Sequence, residues 1–269
     1  MKLYAIKDDS GRELAYLFYY PKNKEFIIEL PDKADQWEIP MLLSSFAKKG
    51  ILCVYPYSSR IWVQQRIVPY ERQNIGQILR DNNLKAYDEF ELLVKADGRC
   101  AQDDYYIEKI SPEALPKSLK NRMRKRIGSS VALGSGIYLL TFYNGEVRKC
   151  DIKLLIQSSP DLSALIKARP DQLDKARVSA GGSILCWDER LSVSYMDIYD
   201  KGKRVSISAD DIKKLISQSV IDTAEACEIL GCSRQYINEL VSKEKLIPIK
   251  TNEKSTLFMK SDVLNFGEK

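Results

Sequence analysis

The chain has 269 residues, with 42 Lys and Arg against 37 Asp and Glu, a net charge of +5 and no histidine. That length exceeds one small domain and suits two or three, while the apolar and charged fractions are those of a folded globular protein. The missing histidine excludes imidazole acid–base chemistry, a Ser-His-Asp triad and histidine metal ligands; it counts against an enzyme without excluding one on the amino-terminal block, and no catalytic residue, metal or cofactor is expected.

Residues 2–7 and 13–20 are strand-like runs parted by the turn composition Asp8-Asp9-Ser10-Gly11. Residues 25–30 alternate again after Pro21-Lys22-Asn23. Ile39, Leu42, Leu43 and Phe46 then fall at helical spacing, with Gly50 placed to end the helix. Residues 51–55 and 61–68 have strand character, and Ile75, Ile78 and Leu79 mark a short helix that Asn82-Asn83 can close. Residues 89–95 and 104–110 read as a hairpin about Asp97-Gly98. These elements predict a mixed α+β domain over 1–111.

A basic joint follows over 112–130. Lys117, Lys120, Arg122, Arg124, Lys125 and Arg126 occur there with no acid among them. It reads as a solvated linker or short surface helix, and alternatively as an arm that contacts phosphates. The next block, 131–205, is a small β-rich α+β domain. In it, residues 137–143, Asn144-Gly145 and 147–152 form a hairpin. Residues 160–168 and 170–176 surround a helical or irregular stretch, residues 177–178 and 184–187 are strands, and Leu191, Val193, Met196 and Ile198 close the apolar pattern. The residues Phe142-x-Asn144-Gly145 with Asp151, Ser183-Ile184-x-x-Trp187 and Ile198-Tyr199 resemble a small bacterial domain family of unknown function. Its members carry an F-x-[DN]-G hairpin, a late tryptophan and an L-Y ending, and are often joined to helix-turn-helix domains.

The block 208–269 carries the expected function. Asp222-Thr223-Ala224-Glu225 has capping-box spacing, and Ala226, Cys227 and Leu230 follow on one helical stripe. Gly231 supplies the freedom that a tight turn requires, with Cys232 as a small residue inside it. Ser233 caps a second helix in which Ile237, Leu240 and Val241 pack inward. Arg234, Gln235, Asn238 and Lys243 are left to solvent, with Tyr236 at the margin. An apolar stripe beneath arginine, glutamine and asparagine is the division of labour of a helix that reads base edges. Residues 247–250 and 255–259 form a hairpin about residues 251–254, adding Lys245, Lys250 and Lys254 around that helix. Ser261-Asp262 can cap a last helix bearing Val263 and Phe266.

Glu225-Ala226-Cys227, Leu230-Gly231-Cys232-Ser233, Lys245-Leu246-Ile247-Pro248 and Ser261-Asp262-Val263 occur in this order over about a fifth of the chain. This run resembles the winged helix-turn-helix of the excisionase and MerR type, with Cys227 where the pattern has a second alanine. The resemblance implies double-stranded DNA as the partner, and Ser233, Arg234, Gln235, Tyr236, Asn238, Lys243, Lys245, Lys250 and Lys254 as the DNA-binding residues. The expectation is a sequence-specific transcriptional regulator, with a protein-interaction adaptor (an antitoxin or phage-defence component that binds DNA for autoregulation) as the alternative. One such domain touches few base pairs, so a homodimer is expected. Its contact would lie in the first two blocks, because the third reads as having little apolar surface to spare, and the first block could hold a protein partner.

The remaining signals are weak. The six cysteines form no C-x-x-C pair, and reduced thiols in a cytoplasm are expected. No signal peptide and no membrane span is legible. Cys100 with Arg99, Asp97, Asp103 and Asp104 reads as a charged hairpin tip, and the polar run 72–79 as a capped surface helix.

Overall fold

The computed structural model describes residues 1–33, 37–156, 170–187, 191–202, 207–252 and 255–268. The expected helical stretch 160–168 and the candidate Lys254 lie outside them. The protein is mixed α+β and divides into two compact units, Met1–Arg122 and Met123–Lys269. Among the described residues, no helix is long and apolar enough to cross a membrane.

The first unit is built on an antiparallel sheet in the order β4-β3-β2-β1-β5, from β1 Lys2–Lys7, β2 Glu13–Tyr20, β3 Glu25–Glu29, β4 Cys53–Val54 and β5 Tyr106–Lys109. Tyr4, Ile6, Leu17, Tyr19, Phe26 and Ile28 share one face and form the core with Leu43, Trp62, Val63, Phe90 and Leu93. Those last residues come from α1 Met41–Lys48, α2 Pro56–Gln64 and α4 Glu89–Lys95. The short α3 Ile75–Asp81 has no buried residue, and Asn83 beyond it adopts a left-handed φ of 56°.

Two expectations fail in this unit. Residues 61–68 are expected as a strand, yet Ile61–Gln64 belong to α2. Pro56 stands at its first turn, where a missing amide proton costs nothing. Ser59, Trp62 and Val63 are its buried positions, so the inward stripe starts on a hydroxyl and does not register as apolar. Ser59 Oγ accepts from the Ile28 amide at 3.0 Å and donates to the Val54 carbonyl at 3.1 Å, tying α2 to β3 and β4. The hairpin about Asp97-Gly98 is likewise absent, since residues 89–95 are α4. Asp88 caps that helix by accepting from the amides of Phe90 and Glu91, both at 3.0 Å. Asp97 and Gly98, at φ 49° and 67°, end it. Cys100 and Asp103 are therefore not a free tip. Arg66 stacks over Trp62 at 4.2 Å and donates to both carboxylate oxygens of Asp103, at 2.9 and 2.5 Å.

The basic joint is folded. Residues Lys117–Met123 form α5, and Arg122 is buried, donating to Glu29 at 2.9 Å, to the Leu30 carbonyl at 2.6 Å and to Asp32. Arg126 is also buried, and the next residue opens a strand.

In the second unit, β6 Ile127–Gly134, β7 Ile137–Phe142 and β8 Val147–Asp151 form one antiparallel sheet. The β7–β8 connection is the expected Asn144-Gly145 turn, with Gly145 at φ 85°. A second sheet, in the order β11-β10-β9, comprises β9 Arg177–Val178, β10 Ile184–Cys186 and β11 Ser192–Ser194, flanked by α6 Ile152–Ile156 and α7 Tyr195–Lys201. The motif residues of this region meet. Phe142 packs edge-on against Tyr199 with ring centroids 5.1 Å apart, Asn144 donates to the Tyr199 hydroxyl at 2.9 Å, and the Arg148 guanidinium lies 3.8 Å from the same ring. The F-x-N-G turn and the I-Y ending are thus two halves of one locked corner.

Residues expected as separate blocks, 131–205 and 208–269, lie together in this unit. Helix α8 Ala209–Ser219 joins them: Lys149 on β8 donates to Asp211 at 2.9 Å, and Lys214 to the Leu133 carbonyl at 3.2 Å. From the C-terminal helix, Asn265 accepts from the Tyr143 hydroxyl at 2.9 Å.

Candidate nucleic-acid interface

Strand β12 Val220–Asp222 leads into α9 Thr223–Leu230. Asp222 accepts from the amides of Ala224 and Glu225 at 2.7 and 2.9 Å, and Glu225 accepts in return from the Asp222 amide at 3.0 Å. This is the capping box that the spacing predicts. Such a cap satisfies amides that the first turn leaves without partners and stabilises a helix by about 1 kcal/mol. Gly231 is left-handed at φ 61°. Ser233 then caps α10 Arg234–Ser242 by accepting from the Tyr236 amide at 3.3 Å.

One face of α10 is fixed in the core. Ile237 and Leu240 are buried with Ala226, Ile221, Leu246, Phe258 and Val263, and Val241 packs beside them. The opposite face carries Arg234, Gln235, Asn238, Glu239 and Ser242, all exposed, within an arc of about 140° at 3.6 residues per turn. Tyr236 is 45% exposed. Five of the expected contact residues, Ser233 to Asn238, therefore gather at the amino-terminal end of α10.

The lysines are distributed differently. Lys243 is exposed but pairs with Glu239 one turn earlier. That hydrogen bond raises the Lys243 pKa and lowers that of Glu239, so part of the positive charge expected there is offset on its own helix. Lys245 is exposed just past α10, its amide donating to the Leu240 carbonyl at 2.9 Å. Lys250 is exposed on β13 Lys250–Thr251, the edge of a sheet ordered β12-β14-β13, in which β14 Thr256–Met259 is central. Phe258 on β14 is fully buried and pairs with Ile221, so the hairpin is anchored to the same core as α10. The last helix, α11 Lys260–Glu268, buries Val263.

The expectation that this region lacks spare apolar surface is not met. Ile212 and Ile216 on α8 are 47% and 53% exposed, and Ile247 is 72% exposed. The apolar residues of α8 sit one turn apart at i and i+4, a signal legible in the sequence but hidden by the acidic start of the helix.

The first unit holds a cleft of about 670 Å³, lined in part by Tyr19, Phe26, Tyr70, Tyr87 and Phe90, with Arg60 and Gln64 bonded to Glu89 on its wall. The polar run 72–79 does not line it. Nothing in the sequence pattern points to this cleft, because its aromatic residues come from two strands, a helix and the loops that carry Tyr70 and Tyr87.

No family model matches the chain, and no curated protein matches it. A solved structure from Nitrosomonas europaea ATCC 19718, named as a candidate DNA-binding protein, is similar over 46% of this chain and 79% of that one, at 21% identity and a TM-score of 0.24. An overlap this loose says nothing of what the present chain binds.

Proposed function

We propose that residues 208–269 are a winged helix-turn-helix of the excisionase and MerR type that binds double-stranded DNA in a sequence-specific way, and that the protein is a cytoplasmic, non-enzymatic transcriptional regulator. One observation carries the reading: Arg234, Gln235 and Asn238 are exposed on the face of α10 opposite Ile237 and Leu240, which are buried. Arginine can pair with guanine, and glutamine or asparagine with adenine, through two hydrogen bonds each. The hairpin bearing Lys250 serves as the wing, and Lys245 and Lys250 neutralise phosphate charge. A homodimer on two half-sites gives the site enough length to be specific.

Selection from random duplex DNA, followed by titration of the recovered sequence, tests this. Arg234→Ala and Gln235→Ala should each lose roughly 1–3 kcal/mol of specific binding and relax preference at one or two base pairs, without a change in melting. Full specific affinity in both variants would remove α10 from the interface.

A second reading, a protein-interaction adaptor that binds DNA for autoregulation, is favoured by Trp37 and Met41, which are 86% and 90% exposed in the first unit. Two large, highly exposed apolar side chains four positions apart offer area that a partner can bury. Recovery of one stoichiometric protein partner, abolished in a Trp37→Ser, Met41→Ser double variant, would support it.

A further inference from the structure

Helix α9 closes with two backbone bonds. The Gly231 amide donates to the Glu228 carbonyl at 3.4 Å, and the Cys232 amide to the Cys227 carbonyl at 3.1 Å. This closure folds the residue after the glycine back onto the one five positions earlier, where an apolar contact ordinarily seals it. Here both residues are cysteines. Burial, and then the facing Cys227 thiol, push the Cys232 thiol pKa up, as expected of two thiols in direct interaction. Both side chains are half-buried, as is Cys100, so small reagents can reach them, whereas Cys53, Cys150 and Cys186 are buried.

We propose that Cys227 and Cys232 are a redox modification site: they form a reversible disulfide across the α9–α10 turn, and the bridge weakens DNA binding by α10. The second half rests on the DNA-binding reading above. The oxidant is a low-molecular-weight disulfide. The Cys227 thiolate attacks one of its sulfurs, forming a mixed disulfide and releasing one small thiolate. Cys232, after losing its proton to solvent, attacks the Cys227 sulfur and releases the second. Two protein thiols are oxidised and one small disulfide is reduced to two thiols.

Bonded sulfurs lie about 2.05 Å apart, so bridging draws Cys232 inward from contact distance. The next residues are Ser233, which caps α10, and then Arg234 and Gln235. They take up the displacement first, and a side chain's bond to a base edge weakens steeply as its donor–hydrogen–acceptor angle falls below about 120°.

The full chain, equilibrated in mixtures of reduced and oxidised glutathione, provides the test. Trypsin cuts after Lys214 and Arg234, releasing a peptide of residues 215–234 that contains Cys227 and Cys232 and no other cysteine. This peptide should lose two hydrogen masses on oxidation and regain them with dithiothreitol. The oxidised chain should bind its selected duplex at least about tenfold more weakly, and recover on reduction. Cys232→Ala should bind like the reduced parent and keep that affinity in the redox mixture, its peptide taking up one glutathione at Cys227 instead of losing two hydrogens. Cys227→Ala serves the same purpose should the first variant fold poorly. A peptide that keeps both hydrogens, or takes up glutathione in the parent, overturns the bridge. Equal affinity of the bridged and reduced chains overturns the switch. Failure of the reduced chain to bind any duplex overturns the DNA-binding reading and the switch with it, while the peptide mass still decides the bridge.

Discussion

Gly231 and Gly182 are both left-handed, at φ 61° and 69°, yet their surroundings differ. A Cβ at Gly231 meets nothing within 4 Å, whereas one at Gly182 would stand 2.1 Å from the Ile127 carbonyl oxygen. The first position carries only the conformational cost of a side chain in the left-handed region, about 1–2 kcal/mol. The second adds a collision with the backbone of buried Ile127, which cannot rotate away. Gly231→Ala should therefore cost about 1 kcal/mol and Gly182→Ala at least about 3 kcal/mol, measured by denaturant unfolding of the full chain. Equal losses would mean that the 181–182 turn does not approach Ile127. Gly231→Val costs more than the alanine, since branching at Cβ adds to the strain, and it should damage folding of the last block before it damages binding.

Helix α8 shows how a local signal and a distant partner combine. Ser208 and Asp211 form a capping box, which follows from residues three apart. Asp211 also accepts from Lys149, 62 positions away. The Lys149 hydrogen bond comes first among the causes that hold the Asp211 pKa down to about 2, against roughly 3.9 in an unfolded chain. Because the folded value is the lower one, this contribution is complete above pH 4 or so and disappears as pH falls towards 2. Between those values the stability of the parent should fall more steeply than that of Asp211→Asn, followed by urea unfolding across the acid range. Identical pH profiles would show that the Lys149 contact does not persist in solution. Helix α10 lies at the other extreme. Its cap, its buried stripe and its exposed polar face all follow from one short run of sequence, which is why Ser233, Arg234, Gln235, Tyr236 and Asn238 can be named without a structure.

For the molecule as a whole, the question is where its positive charge acts. The basic joint offers six candidate cations, but Arg122 and Arg126 are buried. Lys120 donates to the Glu113 carbonyl at 2.7 Å, and Lys125 stands 4.7 Å from the Tyr199 ring. Buried cations cannot reach phosphates, and Lys120 and Lys125 already hold partners at the surface. Neutralising Lys117, Lys120, Arg124 and Lys125 together should leave unchanged the slope of log affinity against log salt. Neutralising Lys245 and Lys250 should make it shallower by roughly 0.9 for each phosphate that is no longer neutralised. Titrations of specific and random duplexes at several salt concentrations distinguish the two sets, and a slope that moves with the first set would restore the joint as a DNA-contacting arm.

The features legible in the sequence are those whose partners lie within about one helical turn or one tight hairpin. They include the Asp222 and Ser233 caps, the left-handed Gly231, the Asn144-Gly145 turn, and the strands whose apolar alternation is unbroken. Short chain separation makes such contacts nearly independent of the rest of the molecule. The helix over Pro56–Gln64 escapes a reading by pattern because its first inward residue, Ser59, is polar and becomes a core residue only once the Ile28 amide and Val54 carbonyl are beside it. The Asp97-Gly98 turn is visible as a turn, but whether it closes a hairpin or ends a helix depends on packing of Phe90 and Leu93 against the sheet. Arg122 reads as a solvated cation until Glu29, 93 positions away, is placed against it. In each case the missing information is a pairing across the fold. A buried charge or hydroxyl becomes favourable only when its partner arrives with it, and composition and spacing along the chain do not record that arrival.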